Sequence, residues 1–167
     1  MQALKAWLIP YIISNIVFGA SIFLAFKKPI WTRLFLAGFF LWACYFNARS
    51  AIDQPGIYLT YAKLNALPFY RNFINGFFSR HITSMVLVIA GGQFLIALGL
   101  ILNKVWTKLA CVGGIIFGFA IAPLGVGSAF PATVSMAIAF YILLKKDEHD
   151  FIWKLKQYQP GRALSQS

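Results

Sequence analysis

A chain of 167 residues that is 60% hydrophobic and 11% charged, with a mean hydropathy of +0.72, is far from the roughly 45–50% apolar and about 25% charged make-up of soluble domains. Its formal charge of +11, from 15 Lys and Arg against 4 Asp and Glu, would suggest nucleic acid in a soluble protein. Here most cations flank apolar runs, as membrane topology and anionic headgroups favour, so composition points away from nucleic acid and to one all-α integral membrane domain over residues 1–167 with no sizeable soluble part.

The first apolar run, 7–26, is long enough to cross a bilayer core that needs roughly 20 residues at 1.5 Å each. Pro10 falls in its first turn, where proline is tolerated, and Lys27 and Lys28 follow it directly, so an uncleaved anchor is expected rather than a signal peptide. Ser14 and Asn15 are its interior polar positions, suited to joining helices. After a KKPIWTR turn, 31–50 gives a second span rich in Phe, Trp and Tyr. At its end Asn47, Arg49 and Asp53 accumulate, with Arg49 and Asp53 four apart and hence neighbours on a helical face. Two readings stand: an interfacial arginine snorkelling beside a counter-ion, or the polar end of a ligand site.

Residues 55–80 are neither a span nor an ordinary loop. Aromatic and polar residues alternate, and prolines stand at 55 and 68, which predicts short interfacial helices. In the second of these Phe69, Phe73, Ile74, Phe77 and Phe78 share one face while Arg71, Asn72, Asn75 and Ser79 share the other, as in a helix lying at the interface or capping a bundle. Tyr58, Tyr61 and Tyr70 suit the same depth. The next run, 82–103, carries no charge and is the clearest span. Gly91, Gly92 and Gly99 should open a face for close helix contact, and the Gln93 amide, near mid-depth, needs a protein partner. A KVWTK connection leads to 107–123, where Gly114 and Gly118 have small-xxx-small spacing. Pro123, Gly125, Gly127 and Pro131 then divide an apolar stretch too long for one crossing, giving a last span at 129–144. Phe151, Trp153, Leu155 and Tyr158 alternate with charge, as in a segment resting on headgroups, and a polar tail follows Pro160.

Five spans place the termini on opposite sides. With the C-terminus in the cytoplasm, that side holds Lys27, Lys28, Arg33, Lys104, Lys108, Lys145, Lys146, Lys154, Lys156 and Arg162. The other side holds Lys5, Arg49, Lys63, Arg71 and Arg80. The bias predicts a C-terminus in the cytoplasm and an N-terminus outside. Cys44 and Cys111 lie in apolar runs and read as packing residues. His81 and His149 have no ligand partners at metal spacing, so no metal site is expected. No GxGxxG, CxxC or CxxCH is present, so no intrinsic cofactor is expected. The expected ligand site gathers Asn47, Arg49, Asp53, Tyr61, Lys63 and Gln93 at the polar end of an apolar cavity beneath the 55–80 segment.

The run AKLNALPFYRNFINGFF, followed by ITSMVLVIAGGQFLIALGLILNKVWTKLACVGGIIFGFAIA, resembles the DoxX-like membrane family: a Lys-Leu after a first family helix, an aromatic short helix, a GG-containing helix ending in LxLGLxL, a tight basic turn and a small-residue helix. The resemblance covers roughly Leu34 to Leu144. It implies a four-helix membrane bundle to which 7–26 adds an N-terminal helix. Many members carry an acidic residue where this chain has Gln93, and the loop between the last two helices is shorter here. Relatives are described as membrane subunits of thiosulfate:quinone oxidoreductases, as partners in redox defence, or as handling sterols and assisting receptor assembly. The resemblance thus implies a binding or accessory subunit holding a quinone-like or lipid-like molecule and docking a partner protein or a second copy. The alternative it leaves open is a quinone-linked oxidoreductase subunit acting on a small sulfur species, with Arg49 attracting the anion.

Overall fold

The computed structural model describes residues 2–60 and 68–146, without the side chains of 2–7, 126 and 127. These residues are helical, with no strand among them. Helix α1 runs Gln2–Lys27 and α2 runs Pro29–Asp53. A single-turn 3-10 segment at Pro55–Leu59 follows, then the short α3, Pro68–Phe73, which widens into a π turn at Ile74–Phe78. Helices α4, Ile82–Ile101, and α5, Lys104–Ile121, form a hairpin. A 3-10 stretch, Ala122–Ser128, leads into α6, Ala132–Lys145. Among the described residues four stretches, Leu8–Lys27, Pro29–Asp53, Ile82–Ile101 and Lys104–Gly125, are long and apolar enough to cross a membrane. Helix α6 is apolar but has 14 residues, a rise of about 21 Å against a hydrocarbon core of about 30 Å.

The helices close into a ring. Helix α1 lies between α2 and α6, α2 packs along α4, α4 along α5, and α5 along α6. The core at the ring's centre includes Phe18, Leu36, Phe40, Ala97, Leu100, Cys111, Met136 and Phe140. Phe40 meets Phe117 and Phe140 edge-on at 5.5 and 5.6 Å, the arrangement that aromatic quadrupoles favour.

The turn between the first two helices is tighter than KKPIWTR suggests. Only Lys28 separates them, and Pro29 opens α2, where its missing N–H would be unpaired in any case. Ile30 to Arg33 are therefore helical, and Arg33 points into the bundle, 1% exposed. Its Nε donates to the Leu100 carbonyl at 3.0 Å, and its Nη2 donates to the carbonyls of Leu100 and Leu102 at 2.8 Å and to Thr107 Oγ1 at 3.0 Å. The last carbonyls of a helix have no partner within it and carry its negative dipole end. Arg33 thus closes the C-terminus of α4, and Thr107, the first buried side chain of α5, joins the same knot by donating to Leu102 at 2.9 Å.

Small residues set the spacing on one side of α4 and α5. A Cβ at Gly99 would come within 2.8 Å of Ala110 Cβ and the Trp106 carbonyl, one at Gly118 within 2.8 Å of the Thr133 carbonyl, and one at Gly114 would collide with the Phe140 ring. The expectation for Gly92 is corrected: it and Gly91 meet nothing within 4 Å, because α4 turns its 86, 90, 93 and 97 positions to the protein and leaves 91 and 92 outside.

Helix α6 is short because the chain enters it from inside the bundle. Asn15 Nδ2 donates to the Ala129 carbonyl at 3.2 Å and to the Tyr11 carbonyl at 2.9 Å. At the opposite end Lys146 Nζ donates to the Phe26 carbonyl at 2.6 Å. Asn15 lies twelve residues before Lys27, about 18 Å along α1, so irregular backbone reaches membrane depth there. That is tolerated when protein groups satisfy it, which accounts for an asparagine inside an apolar helix.

Candidate functional site

Beyond the level at which α6 begins, the bundle is completed by the 55–59 turn and by residues 68–78. Tyr58, Ile74 and Phe78 bury themselves against Ala51 of α2 and Val86 of α4, with Ile82, Met85 and Leu124 around them. The Tyr70 hydroxyl donates to the Ala120 carbonyl at 3.0 Å, tying α3 to the end of α5. The apolar face read from sequence divides in two: Ile74 and Phe78 turn inward, while Phe69 and Phe77 are exposed and Phe73 sits at the edge. Phe69, Phe73 and Phe77 follow one another at a spacing of four, as do Ile74 and Phe78, so the two sets stand on adjacent faces and only the second turns inward.

The expected site residues fall on two sides of α2. Asn47 faces α4, where its Nδ2 donates to Gln93 Oε1 at 2.9 Å; the Tyr58 hydroxyl donates to Asn47 Oδ1 at 3.0 Å. One turn further on, the Thr83 hydroxyl donates to the Ala51 carbonyl at 3.0 Å. Gln93 is buried, so its amide finds protein as a polar group at membrane depth must. This chain of amides and a phenol locks α2, α4 and the 55–59 turn together.

Arg49 and Asp53 lie on the opposite, outward side. They form an ion pair through Nε and Oδ2, with side chains 67% and 46% exposed, and the stacked rings of Trp42 and Phe46 precede them on the exposed surface of α2. The structure therefore brings Asn47 to Gln93 and Arg49 to Asp53, but does not join the two pairs. Tyr61 and Lys63 lie outside the described residues, as does the 151–158 segment.

The open space at this end lies on α4 instead. A shallow groove of about 380 Å³, open over most of its surface, is lined by Phe77, His81, Ser84, Met85, Val88 and Ile89. Its lining is apolar except for His81, whose imidazole tilts against Phe77 at a centroid distance of 4.9 Å, and Ser84. Gly92, one turn beyond Val88 and Ile89, leaves the helix surface bare where a side chain would otherwise stand. An apolar slot with a few polar groups at one end suits an amphiphile whose tail lies along α4 and whose head meets the rim. The sequence showed His81 only as a histidine without ligand partners at metal spacing; its place in a groove comes from the packing of Phe77 beside it, four residues back.

Among the described residues no group of three or more His, Cys, Asp or Glu side chains could hold a metal ion. Both cysteines are thiols, Cys111 buried in the core and Cys44 half-buried. No family model matches the chain, and no curated protein or solved structure matches it at a significant level.

Proposed function

We propose that this chain is a membrane-embedded binding subunit, of the DoxX-like kind, that holds a lipid-like or quinone-like molecule and presents it to a partner. The observation that carries the reading is the groove on α4, apolar along its length and polar only at His81 and Ser84. In this proposal α6 is a fifth, shortened crossing, the membrane is the bacterial inner membrane, and the basic ends of the helices face the cytoplasm with Lys5 outside. The groove then belongs to the outer leaflet, and the π turn at 74–78 is the shelf on which the ligand's head rests. The Arg49–Asp53 pair, exposed beyond the Trp42 and Phe46 rings, is the surface offered to the partner.

The test is extraction of the purified protein followed by mass spectrometry of what accompanies it, for the parent and for Val88→Trp. Val88 is 76% exposed, so tryptophan fills the slot without entering the core. The expected result is a stoichiometric hydrophobic ligand in the parent, reduced at least tenfold in the variant at unchanged melting temperature. A parent that carries nothing beyond bulk lipid, or a variant that retains the ligand, would overturn the reading.

A further inference from the structure

The opposite end of the bundle carries a second feature. Helices α1 and α6 are neighbours and both end there, which brings Lys27 and Lys28 close to Lys145 and Lys146. The 2.6 Å bond from Lys146 Nζ to the Phe26 carbonyl fixes the two ends to each other. Lys27, Lys28 and Lys145 are exposed, and the one carboxylate among the described residues, Asp53, is at the far end of α2.

The side chains also sit at a particular depth. In a helix every Cα–Cβ bond leans toward the N-terminus, so lysines at the C-terminal ends of α1 and α6 lean back into the bundle's girth instead of out into water. Lys27 Nζ lies 6.0 Å from the centre of the Phe23 ring and Lys145 Nζ 5.7 Å from that of Tyr141, each one turn back. Trp31 and Trp106, both more than half exposed, stand at the same end, at the level where tryptophan marks the headgroup region. The Lys27 and Lys145 ammoniums thus stand at the same end as the two tryptophans, each over an aromatic ring one turn back.

We infer that the joined ends of α1 and α6 form a site for the phosphate of an anionic phospholipid, held by Lys27, Lys28 and Lys145, with its acyl chains along the outer surface of the two helices. Three ammoniums without a described carboxylate complement an anionic headgroup, whereas a zwitterionic headgroup brings its own cation and gains little. Lys146 positions the site by holding the two helix ends together.

The experiment is native mass spectrometry of the full chain released from micelles containing equal amounts of phosphatidylglycerol and phosphatidylcholine. A lysine near a membrane surface favours an anionic lipid about fivefold, so the parent should retain phosphatidylglycerol over phosphatidylcholine by about tenfold or more. Lys28→Gln and Lys145→Gln should each lower that ratio about two- to fivefold, and K27Q/K28Q/K145Q should bring it close to one with helical content unchanged. Should the triple variant fail to fold, the single variants decide. The chain's own Asp147, Glu148 and Asp150 are the competing occupant, so D147N/E148Q/D150N is measured alongside. An unchanged ratio there supports the lipid site; a severalfold rise means that those carboxylates hold the lysines and overturns it, as does a parent ratio near one or single variants equal to the parent.

Discussion

Arg33 shows how a single residue can change meaning between sequence and structure. Counted along the chain it is one more cation on the basic side, yet the helix starts four residues before it, and it spends its guanidinium on the end of another helix. Arg33→Met should lower stability by about 3 kcal/mol, the range for hydrogen bonds to a charged group. Arg33→Lys should recover only part of it, because an ammonium cannot reach two carbonyls and a hydroxyl with one planar fork; melting in detergent checks both. The glycines make a matched pair of tests. Gly114→Ala places a methyl where the Phe140 ring lies and should cost about 1–3 kcal/mol, as overpacking does. Gly92→Ala meets open space and should stabilise the helix by up to about 1 kcal/mol, the reverse of what its position in the GG pair suggests.

At the scale of elements, the contact between α2 and α4 depends on the Asn47–Gln93 bond deep in the bundle. Gln93→Leu strands the Asn47 amide and should cost about 1–2 kcal/mol, whereas N47L/Q93L removes both amides, leaves the Tyr58 hydroxyl the Asn47 backbone carbonyl at 3.2 Å, and should recover part of the loss. A double-mutant cycle on melting temperature measures the coupling, and additive losses would mean the two amides act separately. The sequence already showed that Gln93 needs a protein partner, but not which one, since a contact 46 residues away leaves no trace in local periodicity. The Arg49–Asp53 pair was legible from its spacing of four; its separation from Asn47 follows from the same helical geometry, as two residues along a helix turn through 200°. The groove was not legible at all. It lies between Phe77 and His81 before α4 and Met85, Val88 and Ile89 on it, and no local pattern tells which part of an all-apolar helix surface stays uncovered.

For the whole molecule, the helical class and the four long apolar helices were plain in the sequence, because hydrocarbon leaves the backbone few alternatives. The proposed five-span arrangement is tested by reporter fusions after Gly56 and after Lys146, which should report opposite sides of the membrane; the same side at both would remove α6 as a crossing. Less visible in the sequence was the order of the ring, which sets α1 against α6 through contacts 114 and 120 residues apart. During synthesis, then, α1 leaves the ribosome well before the α6 that will lie against it. At about 5–20 residues per second the delay is on the order of ten seconds, during which the Asn15 amide and the open side of α1 lie in lipid without the surface that will cover them. A chain that stops short of Lys145 never closes its ring, and it presents to the membrane's quality-control machinery the same bare helix flank that every nascent copy shows in passing.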